Sequence, residues 1–460
     1  MAEDQTPDST PDEGGFELDR ERLRPVQAAL EAGDGPALAA LLDPLHPADV
    51  ADILEHLDRR SRVDLVRLYG LAFDGEILSE LDESLREDVI AAMAPDALAE
   101  AVRDLESDDV VDLIEDLEEP QQEAILDALE AGDRVAVEKS LTYPEETAGR
   151  LMQREMVVAP EHWNVGQAID FMRAHDDLPE QFYHVILVDP RMRPTGYVTL
   201  GRIMSHPRAT RLSELSEDSF RTIPVLQDEE EVAYDFNHYH LISAPVVDED
   251  DRLVGVITID DAMAILDEEH EEDILRLAGV GEGSLLDGVF ATTMRRVPWL
   301  VVNLGTAALA ALVIAQFEDT IAALVVLAVL MPIVASMGGN AGTQSLTVAV
   351  RGLATRDLTS ANAWRVVRRE ALVGVVNGLV LAVPLGLMTA LIFGSFGIGG
   401  VIAAALIINL FVAALSGVMI PLLLEKFGVD PALASGVFVT TVTDVVGFFA
   451  FLGLAAVVLL

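Results

Sequence analysis

The segment Thr440-Thr441-Val442-Thr443-Asp444-Val445-Val446-Gly447 places one acid in an otherwise uncharged run from Pro431 to Leu460. Thr440 and Thr441 precede Asp444 by four and three residues, and Gly447 follows it by three, so a helix sets them on one face. A carboxylate at mid-bilayer costs at least about 3 kcal/mol on insertion scales, so it must face protein, water or an ion. An ion or proton path is the favoured reading; a hydrogen-bonded structural acid is the plainer one. Ser336, Asn340, Thr343, Gln344 and Thr347 form a polar stripe at helical spacing in a second uncharged run. Asn340 is favoured as pore-lining. Gly338 and Gly342 have the GxxxG spacing, which suits close helix packing as well as a pore. Pro332 and the Gly338-Gly339 pair are the expected kink. Asn377 and Asn409 read as interhelical hydrogen-bonding groups. Asp430, just before Pro431, either complements a helix N-terminus or attracts cations.

A further acidic feature is Asp267-Glu268-Glu269-His270-Glu271-Glu272-Asp273, inside a predicted helix over Asp261–Val280. Like charges at i,i+4 destabilise a helix. The run is expected to fray without a counterion and to order when a divalent cation bridges it to other acids. A solvated acidic helix is the plainer alternative, but the position beside a membrane segment favours sensing.

These groups need elements to hold them. A bilayer core of about 30 Å needs about 20 apolar residues in a helix. Val297–Phe317, Thr320–Val350, Ala371–Leu424 (two spans around Gly394–Gly400) and Pro431–Leu460 supply five. Arg295 and Arg296 precede the first span, and Arg351, Arg356, Arg365, Arg368 and Arg369 lie between the second and third. The positive-inside rule then puts the N-terminal part in the cytoplasm and the C-terminus outside, in a multi-pass cell-membrane protein. Trp299 and Trp364 fall where interfacial aromatics belong.

Composition divides the chain the same way. The 460 residues contain 77 acids and 30 bases, a net charge of −47, yet are 51% hydrophobic. Residues 291–460 are nearly neutral, with eight bases and seven acids, so the negative charge lies in front. Such a charge repels polyphosphates and excludes nucleic-acid binding. The absence of cysteine excludes disulfides and thiolate metal sites. The start has neither basic nor apolar signal regions. The Lys-poor, Asp/Glu-rich balance is halophile-like and gives exposed acids a bland explanation.

Residues 1–20 read as a disordered acidic tail. Residues 21–149 read as an all-α superhelical domain of amphipathic helices with acidic outer faces. Residues 150–262 contain a repeat. His184-Val185-Ile186-Leu187-Val188-Asp189 followed by Gly196-Tyr197-Val198-Thr199 matches Ser243-Ala244-Pro245-Val246-Val247-Asp248 followed by Gly255-Val256-Ile257-Thr258, at a period of 59. Each copy fits a β–β–α unit. The pattern resembles a tandem α/β CBS pair, at 150–207 and 208–262. Such pairs often bind adenine nucleotides such as ATP through a Thr-x-x-Asp signature. The second unit has it as Thr258 and Asp261; the first has Thr199 but Arg202 in the acid position.

The order is now distinctive: acidic helical domain, CBS pair, acidic connecting helix (263–290), and an all-α five-span domain (291–460). With Gly-Gly-Asn-x-Gly-x-Gln-Ser in the second span, and Asp430-Pro431-Ala432-Leu433 followed by Asp444 in the last, residues 20–460 resemble the MgtE family of magnesium transporters/channels. The resemblance implies a homodimer with the ion path on its two-fold axis, no obligate protein partner, and Mg2+ influx down its gradient, closed by cytosolic Mg2+. It maps the pore acid onto Asp444 and the acid at the cytoplasmic mouth onto Asp430. Sensor acids fall on Asp52, Asp108 and Asp112, on Asp228 and Glu230, and on Asp261, Glu269, Glu272 and Asp273 of the connecting, or plug, helix. One expected sensor acid is replaced by His240.

Physical chemistry agrees. Mg2+ prefers oxygen ligands and dehydrates reluctantly, and the spans contain no His or Cys, which disfavours soft metals. A potential of 100 mV contributes about 4.6 kcal/mol to divalent entry, at ~2.3 per charge. No nucleophile–base constellation or Gly-x4-Gly-Lys-Ser/Thr loop indicates an enzyme. The competing readings are a transporter of Mn2+, Co2+ or Ca2+, a cation/proton exchanger, and a membrane-anchored adenine-nucleotide sensor.

Overall fold

The computed structural model describes residues 20–103, 105–115, 117, 119–175, 178–179, 181–217, 220–280 and 288–460. The acidic tail read at 1–20 therefore lies outside the described residues except for Arg20, as does the 281–287 part of the connecting segment. The chain forms two compact units, Met1–Asp267 and Glu268–Leu460.

The first unit begins with short helices from Arg20–Ala32 to Ala131–Ser140. Their apolar faces close one core, with Leu38, Leu54, Leu65, Leu78, Val102, Leu113 and Ile125 inside. Local chemistry sets the helix boundaries. Asp34, Asp58 and Asp82 are N-caps that accept from the backbone N–H groups of Ala37, of Arg60 and Ser61, and of Ser84. These acids are spent on helix starts.

One device recurs at the turns. Arg62 is buried and donates to the carbonyls of Leu54 and Leu57. Arg86 donates to those of Leu81 and Ser79, and Gln122 to those of Ile114 and Leu117. Each side chain satisfies carbonyls that the preceding helix leaves open at its C-terminal end. The stack of short helices is held together by these ties as well as by its apolar core.

Two three-stranded sheets follow. β1 (Val157–Pro160) runs parallel to β2 (His184–Val188), which pairs antiparallel with β3 (Pro194–Thr199). β4 (Ile223–Pro224), β5 (Ser243–Val247) and β6 (Leu253–Thr258) repeat the arrangement. Register shifts fall at Leu187/Val188 and Val246/Val247, the same place in both copies of the repeat. The sheets meet through Ile186, Val188, Leu253 and Val256. At that seam His184 Nδ1 lies 2.5 Å from Ser243 Oγ. Burial pushes the His184 pKa down to about 4, so its ring is neutral. In Asn164 and Gln167 a full capping box starts the helix Val165–Ala174.

The helix Ile259–Leu277 runs unbroken through the acidic run. Arg276 in its last turn pairs with Glu272 at 2.7 Å, which offsets some like-charge repulsion. Five helices long and apolar enough to cross a membrane follow: Val289–Ala315, Val326–Ala354, Ala363–Phe393, Phe396–Lys426 and Pro431–Val458. A short helix, Glu318–Ala323, precedes the second span, so the uncharged run from Thr320 is not one helix. The fourth span is the centre of the bundle, packed against the second, third and fifth.

Candidate functional site

Small residues and one amide bring the second, fourth and fifth spans together. Asn409 is fully buried, and its Nδ2 donates to the Val334 carbonyl at 2.9 Å. A Cβ on Gly338 would collide with Asn409 Nδ2, and one on Gly447 would fall 2.7 Å from it. One on Gly342 would meet Val439 at 2.5 Å and Thr443 at 3.5 Å. Gly338 and Gly342 are therefore packing residues. Asn409 is the interhelical hydrogen-bonding group expected. Asn377 is not: it is exposed and makes no hydrogen bond among the described residues.

The polar stripe of the second span stays outside this packing. Ser336, Asn340, Thr343, Gln344 and Thr347 are all exposed. Thr343 and Thr347 turn their hydroxyls onto the carbonyls of Gly339 and Thr343. Thr440 and Thr441 likewise satisfy themselves on their own helix, and Thr443 is buried. Asp444 is half-buried and has no hydrogen bond or ion pair among the described residues. The oxygen groups on the open face of the second span, and the unpaired carboxylate in the last, are each of a kind that suits a hydrated cation.

At the N-terminus of the last span Asp430 has two tasks. One carboxylate oxygen accepts from the Ala432 N–H at 2.7 Å as N-cap, and the other accepts from Arg276 at 3.1 Å. Leu277 packs beside Leu346, Val350, Ala432 and Val439. The end of the connecting helix is thereby seated on the second and fifth spans. Asp273 is raised above the usual carboxylate range by burial and by Asp430, with Arg276 and His270 opposing.

The second acidic site lies in the first unit, where the helix Ser107–Glu115 faces the start of the connecting helix. Asp108 is 8% exposed, and burial, then Asp261, then Asp109 push its carboxyl well above the usual range. Burial and Asp261 raise Asp109 to about 7; burial and Glu155 raise Glu106 to about 7. Asp261 is raised to about 6, chiefly by burial, although Thr258 donates to it at 2.6 Å. Ser107 and Gln153 tether Glu155 and Glu106, each at 2.8 Å. Among the described residues no three acids or histidines converge closely enough to hold a metal directly. The crowded carboxylates fit a divalent ion that keeps its waters, which Mg2+ tends to do.

Of the other candidate sensor acids, Asp112 adds its charge to the rise at Asp109. Asp52 is exposed, and its helix uses the backbone carbonyl of Asp52 to hold His56. Asp112 pairs with Arg86 at 2.7 Å. Asp228 caps the helix Glu229–Tyr239, and Glu230 stands in its first turn. Glu269 lies on the connecting helix. His240 closes the Glu229–Tyr239 helix in the left-handed region at φ 55°. Sequence reasoning missed Glu106, Asp109, Arg276 and Glu370. Glu370 is buried in the third span and accepts from Ser345 at 3.3 Å; its signal was a lone acid opening an uncharged run.

A paired-sheet module in a chain with a five-span bundle that carries an unpaired acid defines a membrane transport protein. Comparison with known families specifies the class. The MgtE intracellular N domain matches residues 45–146, CBS domains match 148–208 and 212–268, and the MgtE divalent cation transporter domain matches 331–454. The magnesium transporter MgtE of Thermus thermophilus is 33% identical over 442 residues, covering 94% of this chain and 98% of that protein. Its Bacillus subtilis counterpart is 28% identical over 417 residues, covering 90% and 92%. A crystal structure of the cytosolic domain of the Mg2+ channel MgtE in complex with ATP is 30% identical with a TM-score of 0.50, covering 53% of this chain and 99% of that one. The chain belongs to the MgtE family of divalent cation transporters.

Proposed function

We propose that the protein carries Mg2+ into the cytoplasm down its electrochemical gradient and that cytosolic Mg2+ closes the path. The observation that carries this reading is Asp444, unpaired at span depth on a bundle whose second span exposes a polar stripe. Lipid would penalise both, so they call for water, an ion or a second copy of the chain. A homodimer with Asp444 from each subunit, joined by Asn340 and Asp430 along the path, supplies that environment. A hydrated Mg2+ then interacts through its waters. The inside-negative potential drives entry, with the N-terminus cytoplasmic and the C-terminus outside.

Closure rests on the acidic sites. Asp108 and Asp261, with Glu106 and Asp109, repel one another when ionised, and a bound divalent ion removes that penalty. Asp52, Asp112, Asp228, Glu230, Glu269, Glu272 and Asp273 would be the further regulatory acids. The seating of Leu277 and Arg276 on the last span supports the connecting helix as the closing element.

Uptake of Mg2+ into proteoliposomes under an imposed potential tests the reading, with Asp444→Ala beside the native chain. Uptake that falls at least tenfold supports a conduction role for Asp444. A folded native protein without uptake sinks the transport reading. Competition by Mn2+, Co2+ and Ca2+ separates the alternatives.

A second regulatory ligand is an adenine nucleotide at Thr258 and Asp261. The ATP complex of the related cytosolic domain favours it. The Thr258–Asp261 hydrogen bond sets the two signature side chains side by side. ATP binding measured by calorimetry should be lost in Thr258→Val; equal heats from both proteins would remove this ligand.

A further inference from the structure

The third span opens with a group of bases that the transport reading does not use. Arg365, Arg368 and Arg369 are all exposed, and none has an ion-pair or hydrogen-bond partner among the described residues. They are three such bases within five residues of a chain that has 77 acids for 30 bases. Elsewhere Arg59, Arg86, Arg134, Arg150, Arg208 and Arg276 each hold a carboxylate. Their spacing of three and four residues puts the three arginines on one helical face. Leu372, Val373 and Val376 continue that face, and with the arginines and Asn377 they line a shallow groove, open to one side, of about 510 Å³ along this single helix. The floor is apolar and exposed: Leu372 is 60% and Val376 56% accessible. Arg365 and Val376 lie about 17 Å apart along the helix at ~1.5 Å per residue, a span that takes in a headgroup and the upper acyl chain. Trp364, 76% exposed, sits at the same end as the arginines, as interfacial aromatics do.

We propose that this groove binds an anionic phospholipid, with its phosphate on the three guanidinium groups and its acyl chain along Leu372, Val373 and Val376. Guanidinium is a planar, bidentate phosphate ligand and is weakly hydrated, which suits a headgroup site. Basic pockets on the cytoplasmic side of membrane bundles are recognised by anionic lipids in this way. Topology alone needs only positive charge on that side; it does not require three arginines on one face above an apolar floor. A second copy of the chain fits the groove poorly, because a two-fold contact would set the arginines of both copies against each other. Glu370 lines the adjoining smaller cavity with Ser345 and Gln344 and is buried on the inner side of the helix.

The test uses the full chain, delipidated in neutral detergent. Native mass spectrometry counts retained lipid, and thermal unfolding is followed with phosphatidylglycerol, phosphatidylcholine or inorganic phosphate. Phosphatidylglycerol should be retained and should raise the unfolding midpoint by several degrees, while the other two should not. Arg365→Gln/Arg368→Gln/Arg369→Gln should weaken retention roughly 10- to 100-fold, and Arg351→Gln should not. Val376→Trp fills the floor with the arginines intact and should also weaken retention, so the site stays testable if the triple variant fails to fold. Equal retention of both lipids, an equal shift with inorganic phosphate, or unchanged retention in Val376→Trp would each overturn the proposal.

Discussion

Arg276 reaches Asp430 at 3.1 Å, so the last turn of the acidic connecting helix is tied to the N-cap of the final span by a guanidinium. The same side chain holds Glu272 at 2.7 Å. Arg276 thus stands, as a fixed cation, between two acids. Side chains on both partners are partly exposed, so the pair is a modest contributor in energy. Its geometry still joins the two elements.

Replacing Arg276 with Gln should loosen that join. The residue 268–277 segment should become more sensitive to limited proteolysis at low Mg2+, and the Mg2+ concentration that protects it should rise roughly fivefold, as expected for loss of about 1 kcal/mol. Unchanged protection would show that Leu277 packing alone seats the helix.

The acidic cluster gives a pH dependence of defined sign. Glu106 and Asp109 are raised to about 7 and Asp261 to about 6, so the folded unit keeps protons that the unfolded chain has released. The stability they contribute is complete below the unfolded carboxyl pKa of about 4 and is lost as pH rises through 6–7. Without divalent cations, the protection of the helix Ser107–Glu115 against hydrogen exchange, taken relative to the intrinsic rate at each pH, should fall from pH 5 to pH 8. Added Mg2+ should restore it at pH 8 and have little effect at pH 5. Equal protection by Mg2+ at both values would separate the cluster from the ion.

Gly338 and Gly339 should respond differently to one methyl group. A Cβ at Gly338 would press on Asn409, whereas nothing lies within 4 Å of one at Gly339. Gly338→Ala should cost about 1–3 kcal/mol through overpacking and lower the unfolding midpoint of the purified protein. Gly339→Ala should leave the midpoint within a degree or two.

Glu370 offers a contrast with Asp444. Its carboxylate is buried against Ser345, whereas Asp444 has no partner among the described residues. Glu370→Gln keeps the shape and the hydrogen bond, so Mg2+ uptake should stay within about twofold of native while Asp444→Asn lowers it at least tenfold. Such contrasts follow from buried structural groups tolerating isosteric neutralisation. A large loss in both variants would draw Glu370 into the path.

The spans were legible because uncharged runs of that length have no other use, and Asp444 stood out against one of them. The repeat around His184 and Ser243 was legible from strand patterns alone, and both copies form the same sheet. The role of Gly338 was not, because its packing partner, Asn409, comes 71 residues later and only folding brings them together. Glu106 and Asp109 were hidden for another reason. In so acidic a chain, a carboxylate that faces another carboxylate looks like one that faces water. Arg276 was masked by the acids that precede it, although its last-turn position suits a base on dipole grounds.

The seam of the sheet pair makes the two halves unequal. His184 and Ser243 occupy equivalent places in a duplicated unit, and each satisfies the other. Two copies of the first half joined the same way would confront two neutral imidazoles, and two copies of the second half would leave a gap between two small hydroxyls. The two halves of the repeat are therefore not interchangeable: like left and right hands, each is shaped to the other rather than to itself.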